Sequence, residues 1–261
     1  TGWELTIGWQ DRTNFGMGYG IKFNVSDART YIDRYPGNPT NSINTYIAGR
    51  EIGEIWGFET VGIAKTDDEM QAHLNKVGGQ SAIGSGVWTA GDIMYADQDG
   101  KPGITKGAQT LEDHGDLKVI GNNTPRYHFG LDLNANYKGF DVRLFFQGVM
   151  KRDYWQGSNI FWGVGQWGMW WSTGLKEHED YFRDEPVGLA GHEIAANVNS
   201  YYARPRFDST QNQETQTRYL QDASYIRLKN FQLGYTLPTS MIRKIGCLLY
   251  TSDAADERSS V

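Results

Sequence analysis

Residues 126–149, RYHFGLDLNANYKGFDVRLFFQGV, constrain the fold more than any other stretch of this chain. Tyr127, Phe129, Leu131, Leu133, Ala135 and Tyr137 alternate with Arg126, His128, Gly130, Asp132, Asn134 and Asn136. After Lys138-Gly139 the alternation resumes, with Phe140, Val142, Leu144 and Phe146 set against Asp141, Arg143, Phe145 and Gln147. Side chains in a strand point to opposite faces in turn, so this pattern predicts an antiparallel hairpin with one apolar face and one polar face.

The same period recurs. Trp3, Leu5, Ile7 and Trp9 share one face, and Ile21, Phe23 and Val25 follow after RTNFGMGYG, which suggests a second hairpin. Residues 49–63 are strand-like and punctuated by glycine, and a short strand is expected near Ile93–Tyr95. In 223–237 the apolar phase slips near Lys229-Asn230, as a β-bulge would produce. The period changes once. Thr66 and Glu69 fit a capping box, and Met70, Leu74 and Val77 fall at helical spacing, so a helix is expected over 67–77, ended by Gly78-Gly79. Residues 27–45, 80–116 and 150–216 are loop-rich.

Composition agrees with strands and turns: among 261 residues there are 32 glycines, and aromatics reach 13%. The net charge of −6 argues against a nucleic-acid surface. No apolar run is long enough for a transmembrane helix. A membrane β-barrel remains compatible, because its strands are short and only half apolar. Cys247 is the sole cysteine, so an intrachain disulfide and a Cys-based metal site are ruled out. The opening GWELTIGW reads as a strand already in progress, as in a piece of a longer protein.

Several phrases are more specific. GEIWGFETVGI, GDIMYADQDG, GDLKVIGNNTPRYHFGLDLNANYKGFDVRLFFQGV, YYARPRF and QTRYLQDASYIRLKNFQLGYTLP resemble the C-terminal barrel of SusC/RagA-family TonB-dependent outer-membrane transporters, in that family's order along residues 1–246. The resemblance implies an all-β fold: a partial antiparallel transmembrane β-barrel with long extracellular loops and one short loop helix. It implies a multi-pass place in a bacterial (Bacteroidota-type) outer membrane and a share in active import of glycan oligomers or peptides, without catalysis. A SusD-like surface lipoprotein, the TonB complex acting through an upstream segment, the lipid bilayer and an oligosaccharide or peptide ligand would be the partners. Tyr127, Phe129, Leu131, Leu133, Tyr137, Phe140, Val142, Leu144 and Phe146 would face lipid, with the polar face toward a wet lumen or a plug. Residues 247–261, CLLYTSDAADERSSV, resemble a translated sequencing-library adaptor and are expected to be a non-native tail.

Two other readings compete. One is a soluble β-sandwich carbohydrate-binding module or glycosidase accessory domain; the other is a receptor for a siderophore or cobalamin. Tyr154, Trp155, Phe161, Trp162, Trp167, Trp170 and Trp171 form the densest aromatic group. They are either a platform for sugar rings, or an anchor of the loop at a membrane interface or in a contact with a plug or lipoprotein. Asp92, Asp97 and Asp99 could serve a calcium loop, the one cofactor considered, although Lys101 stands where a further oxygen donor would help and a plain acidic turn is the alternative. GVGQWG (163–168) lacks the strand and helix of a dinucleotide fingerprint, and HEIAAN (192–197) has Asn197 in place of a second histidine. His73, His114 and His178 are expected to be solvated, and no set of nucleophile, base and orienting group is present.

Overall fold

The alternating segments become strands, and their pairing follows the apolar pattern. A computed structural model describes residues 1–84, 86–163, 174–206 and 209–244. In chain order the strands are β1 (Gly2–Arg12), β2 (Gly18–Ala28), β3 (Glu54–Phe58), β4 (Thr60–Ile63), β5 (Ile93–Tyr95), β6 (Leu117–Asn122), β7 (Arg126–Tyr137), β8 (Phe140–Lys151), β9 (Asp153–Trp155), β10 (Leu220–Asp222) and β11 (Tyr225–Tyr235). The α-helices are α1 (Asp67–Val77), α2 (Asn159–Trp162) and α3 (Thr239–Lys244). The chain divides into two compact units: unit 1 takes residues 1–28, 126–150 and 224–261, and unit 2 takes 29–125 and 151–223.

Unit 1 is built on a five-stranded sheet in the order β1-β2-β7-β8-β11. The registers line up apolar residues across neighbouring strands: Ile7 opposite Phe23, Phe23 opposite Leu131, and Leu144 opposite Phe231. Lys138 (φ 48°) and Gly139 (φ 89°) join β7 to β8, and positive φ at both central residues is what a two-residue hairpin turn with the strands' own twist requires. The expected bulge is present. The β11–β8 register shifts between Leu228 and Asn230, which returns Leu228 and Phe231 to one face. On that face Leu131, Leu133, Val142, Leu144, Phe146 and Phe129 are half-buried, whereas Tyr137 and Phe140 are exposed. Tyr127 has φ 55°, so simple alternation does not set its direction. On the polar face Arg143 Nε lies 3.0 Å from Asp132 Oδ2. Gly20 lies opposite Asn134, whose amide stands 2.8 Å from where a Cβ at Gly20 would be, so the glycine makes room for it.

Here the structure corrects the expected architecture. The sheet is open, with β1 and β11 as its ends, and among the described residues no sheet closes into a barrel. A closed membrane barrel starts at about 8 strands, and two-faced alternation specifies a sheet, not its closure. The multi-pass outer-membrane placement, which rested on that barrel, is corrected with it. No described helix is long and apolar enough to cross a membrane.

Unit 2 surrounds a core that includes Phe58, Met70, Ile83, Ile93, Tyr95 and Tyr219. Its sheets are two-stranded: β3 with β6, β4 with β5, β9 with β10. Helix α1 forms where the spacing predicts it. Thr66 Oγ1 accepts from Glu69 N at 3.1 Å, and Gly78 adopts φ 77° at the other end. The Glu69 carboxylate reaches past the cap to Lys65 N (2.6 Å). Met70, His73 and Val77 are buried. His73 thus departs from its expected solvation: Nε2 sits 3.0 Å from Gln80 Oε1, which also accepts from Tyr95 N at 2.7 Å.

Candidate functional site

The aromatic residues of 154–162 gather around a residue from a distant segment. Tyr219 is fully buried, and its ring centroid lies 4.9 Å from Trp162, 6.0 Å from Phe161 and 6.1 Å from Tyr202. Trp155 meets Trp162 at 6.1 Å, and the β9–β10 pairing sets Trp155 opposite Leu220. Edge-to-face contacts of this kind add to burial and fix ring positions. Tyr219 is also a polar brace, because its hydroxyl accepts from Ala203 N at 2.8 Å. Burial pushes the Tyr219 phenol up to about 12. Of the described aromatic candidates, Tyr154 is exposed, Trp155 and Phe161 are half-buried and Trp162 is buried. Trp167, Trp170 and Trp171 lie outside the described residues.

Beside this cluster, within unit 2, a cleft of about 720 Å³ opens. Trp162, Leu175, Tyr181, Phe182 and Tyr202 supply a mainly apolar wall, and Arg183, Asp184, Arg204 and Arg206 supply charge. Size and lining suit a small organic ligand held by ring faces and a few polar groups. Burial raises the Tyr202 phenol, so it presents a neutral hydroxyl. His178 is part-buried, with Nδ1 accepting from Leu175 N at 2.8 Å and Nε2 3.0 Å from Phe161 O. Because Nδ1 accepts, Nε2 carries the proton and donates to the carbonyl. His114 is likewise half-buried, its ring 5.4 Å from that of Trp56. Both were expected to be solvated.

The carboxylates named for a metal separate. Asp92 is fully buried and holds Arg206 through Nε (3.0 Å) and Nη2 (2.5 Å). It also accepts from Thr89 N (2.9 Å) and Asn212 Nδ2 (2.8 Å). Asp97 and Asp99 converge instead with Asp116, their carboxylate oxygens all within 4.8 Å of one another. The Asp116 oxygens accept from Gln98 N (2.8 Å) and Thr105 N (2.7 Å), and Lys101 Nζ lies 3.1 Å from Asp99. The Lys101 backbone N–H and its ammonium hold the Asp99 carboxyl below its ordinary range. Sequence spacing did not single out Asp116, because the turn through Gly103 and Thr105 brings it back to the loop.

Comparison with known proteins gives distant likenesses. TonB-dependent receptor P3 of Formosa agariphila is 26% identical over 257 residues, which cover 94% of this chain and 22% of the receptor. TonB-dependent receptor P26 of the same organism is 26% identical over 166 residues, covering 59% of this chain and 15% of that one. Among solved structures, a chain of the RagAB peptide importer in its open-open state superposes with a TM-score of 0.51 at 18% identity, covering 92% of this chain and 22% of that one. No family model matches.

This chain therefore spans about a fifth of the length of the first relative. The SusC/RagA membership implied by the sequence phrases is corrected to a distant link with TonB-dependent receptors and the RagAB system. The role as part of an outer-membrane importer is corrected too, since the open sheet encloses no channel. The likenesses are to TonB-dependent receptors and a peptide importer, a class of transport proteins.

Proposed function

We propose that this chain is a non-catalytic ligand-recognition module that takes an oligosaccharide into the cleft of unit 2. The supporting observation is the wall formed by Trp162, Tyr181 and Tyr202, with guanidinium and carboxylate groups beside it. Aromatic faces stack on the C–H faces of sugar rings, while neighbouring polar groups bond the hydroxyls. Tyr219 holds Tyr202 from behind in a near-parallel arrangement (21°), so that ring is ordered before a ligand arrives. In a longer receptor-like chain, a SusD-like surface lipoprotein would share the captured ligand, and a TonB complex would act on other parts of that chain.

The test is calorimetric titration of the 261-residue chain with neutral oligosaccharides and with mixed peptides. The expected result is saturable sugar binding that weakens roughly tenfold in Tyr202→Ala, the scale of one lost aromatic contact. Binding of peptides alone, or unchanged sugar affinity in Tyr202→Ala, would refute the proposal.

A further inference from the structure

The cleft wall contains three arginines, and they are not equivalent. Arg204 Nη2 bonds Asp184 at 2.7 Å, and Arg206 grips Asp92. Arg183 is only 6% exposed, yet among the described residues no carboxylate lies within ion-pair range of it. Backbone carbonyls hold it instead. Nε donates to Ala195 O (2.8 Å), and Nη1 donates to Glu179 O (2.6 Å) and Tyr181 O (3.2 Å). Its guanidinium lies 4.5 Å from the centre of the Tyr181 ring.

A guanidinium carries five N–H bonds. The three carbonyls use those on Nε and Nη1, which leaves both hydrogens of Nη2 without an acceptor among the described residues. Nη2 is also not sealed in protein. The only fully enclosed side-chain nitrogen or oxygen without a partner among the described residues is Trp88 Nε1, so Nη2 has an opening to the outside. Arg183 borders the aromatic cleft and a smaller hollow that Lys176, Glu177, Glu179, Asp180 and Asn197 also line. A buried cation without an ion-pair partner is costly even with carboxylates farther off, and an oxyanion arriving through the cleft would relieve that cost.

We infer that Arg183 is an anion-reading subsite, and that the ligand is an acidic oligosaccharide whose carboxylate or sulfate ester accepts from Nη2 while its rings lie on the aromatic wall. This rests on the oligosaccharide reading above and narrows its ligand class. Arg183 is pre-set for the task, because the three carbonyls fix the plane of its guanidinium before binding.

The experiment compares an oligogalacturonate with its methyl ester, and a sulfated oligosaccharide with its desulfated form, by titration into the 261-residue chain. The acidic member of at least one pair should bind about tenfold tighter, as a charge-assisted hydrogen bond provides, and the advantage should shrink in high salt. Whichever pair shows the advantage identifies the group that is read. In Arg183→Gln the acidic-to-neutral ratio should fall toward one, and Arg183→Lys should restore part of it. Circular dichroism confirms that the variants fold; if they do not, the wild-type ratio and its salt dependence decide alone. Equal affinity within both pairs overturns the inference and leaves oligosaccharide recognition standing. Failure of every oligosaccharide to bind overturns both.

Discussion

Replacing Asp92 with asparagine separates the metal-ligand role that the sequence suggested from the anchoring role that the structure gives it. The structure makes Asp92 an anchor. Its oxygens receive four hydrogen bonds, two of them from Arg206, with no exposure to solvent. Asn212, one of the donors, also accepts from Ile93 N at 2.9 Å, and Arg204 Nε bonds Ala90 O at 2.8 Å, so the network ties segment 89–93 to segment 204–212. Asparagine keeps the shape but removes the charge facing Arg206 and turns an N–H₂ toward existing donors. Breaking a buried pair from one side costs about 3–5 kcal/mol, against a total of about 5–15 kcal/mol for a typical domain. At roughly 2–4 °C per kcal/mol for a domain of this size, the melting temperature should fall by about 6–20 °C. Tryptophan fluorescence during thermal unfolding reports it, because Trp88 and Trp162 lie in the unit 2 core. A melting temperature within about 2 °C of the parent, with calcium affinity lost instead, would refute the anchoring argument.

Two further outcomes follow from the same reasoning. Burial raises the Tyr219 phenol to about 12 and also raises Tyr95 well above its ordinary value, so the neutral forms belong to the folded state. Stability linked to them is complete below pH 10, the ordinary tyrosine value, and is lost as pH climbs through the folded value near 12; phenolate absorbance with parallel melting curves checks this, and titration of all tyrosines near their ordinary value would contradict it. Thr66→Ala removes the helix cap and should cost about 1 kcal/mol in urea unfolding; no change would mean that Glu69 on Lys65 N suffices.

The sheet was legible because strand alternation is local. Residues 126–149 carry both faces and their turn in one continuous stretch, and the phase slip at Lys229 announced its bulge. Helix α1 was legible for the same reason, through Thr66 and Gly78. Closure was not legible, since a period of two is the same in an open sheet and a closed one. Unit 2 was missed as a packed body because long-range pairs hold it: Asp92 meets Arg206, Tyr95 donates to Gln211 O, and Trp162 meets Tyr219. The aromatic run alone could not say whether it was a platform or an anchor, because Tyr202 and Tyr219, which pack on Phe161 and Trp162, come from another part of the chain.

The division of the chain carries a consequence for how it assembles. The residues that β2 and β7 pair lie more than a hundred positions apart in sequence, from Gly18 opposite Asn136 to Ser26 opposite His128. Closing so long a chain segment is entropically unfavourable. Most of unit 2 is threaded between them, leaving from Ala28 and returning at Arg126, where Asp27 and Arg126 clasp. A compact intervening body keeps its own two ends close, like a purse string, and so lowers the cost of holding β7 beside β2. A lesion deep in the intervening body would therefore loosen the β2–β7 ladder.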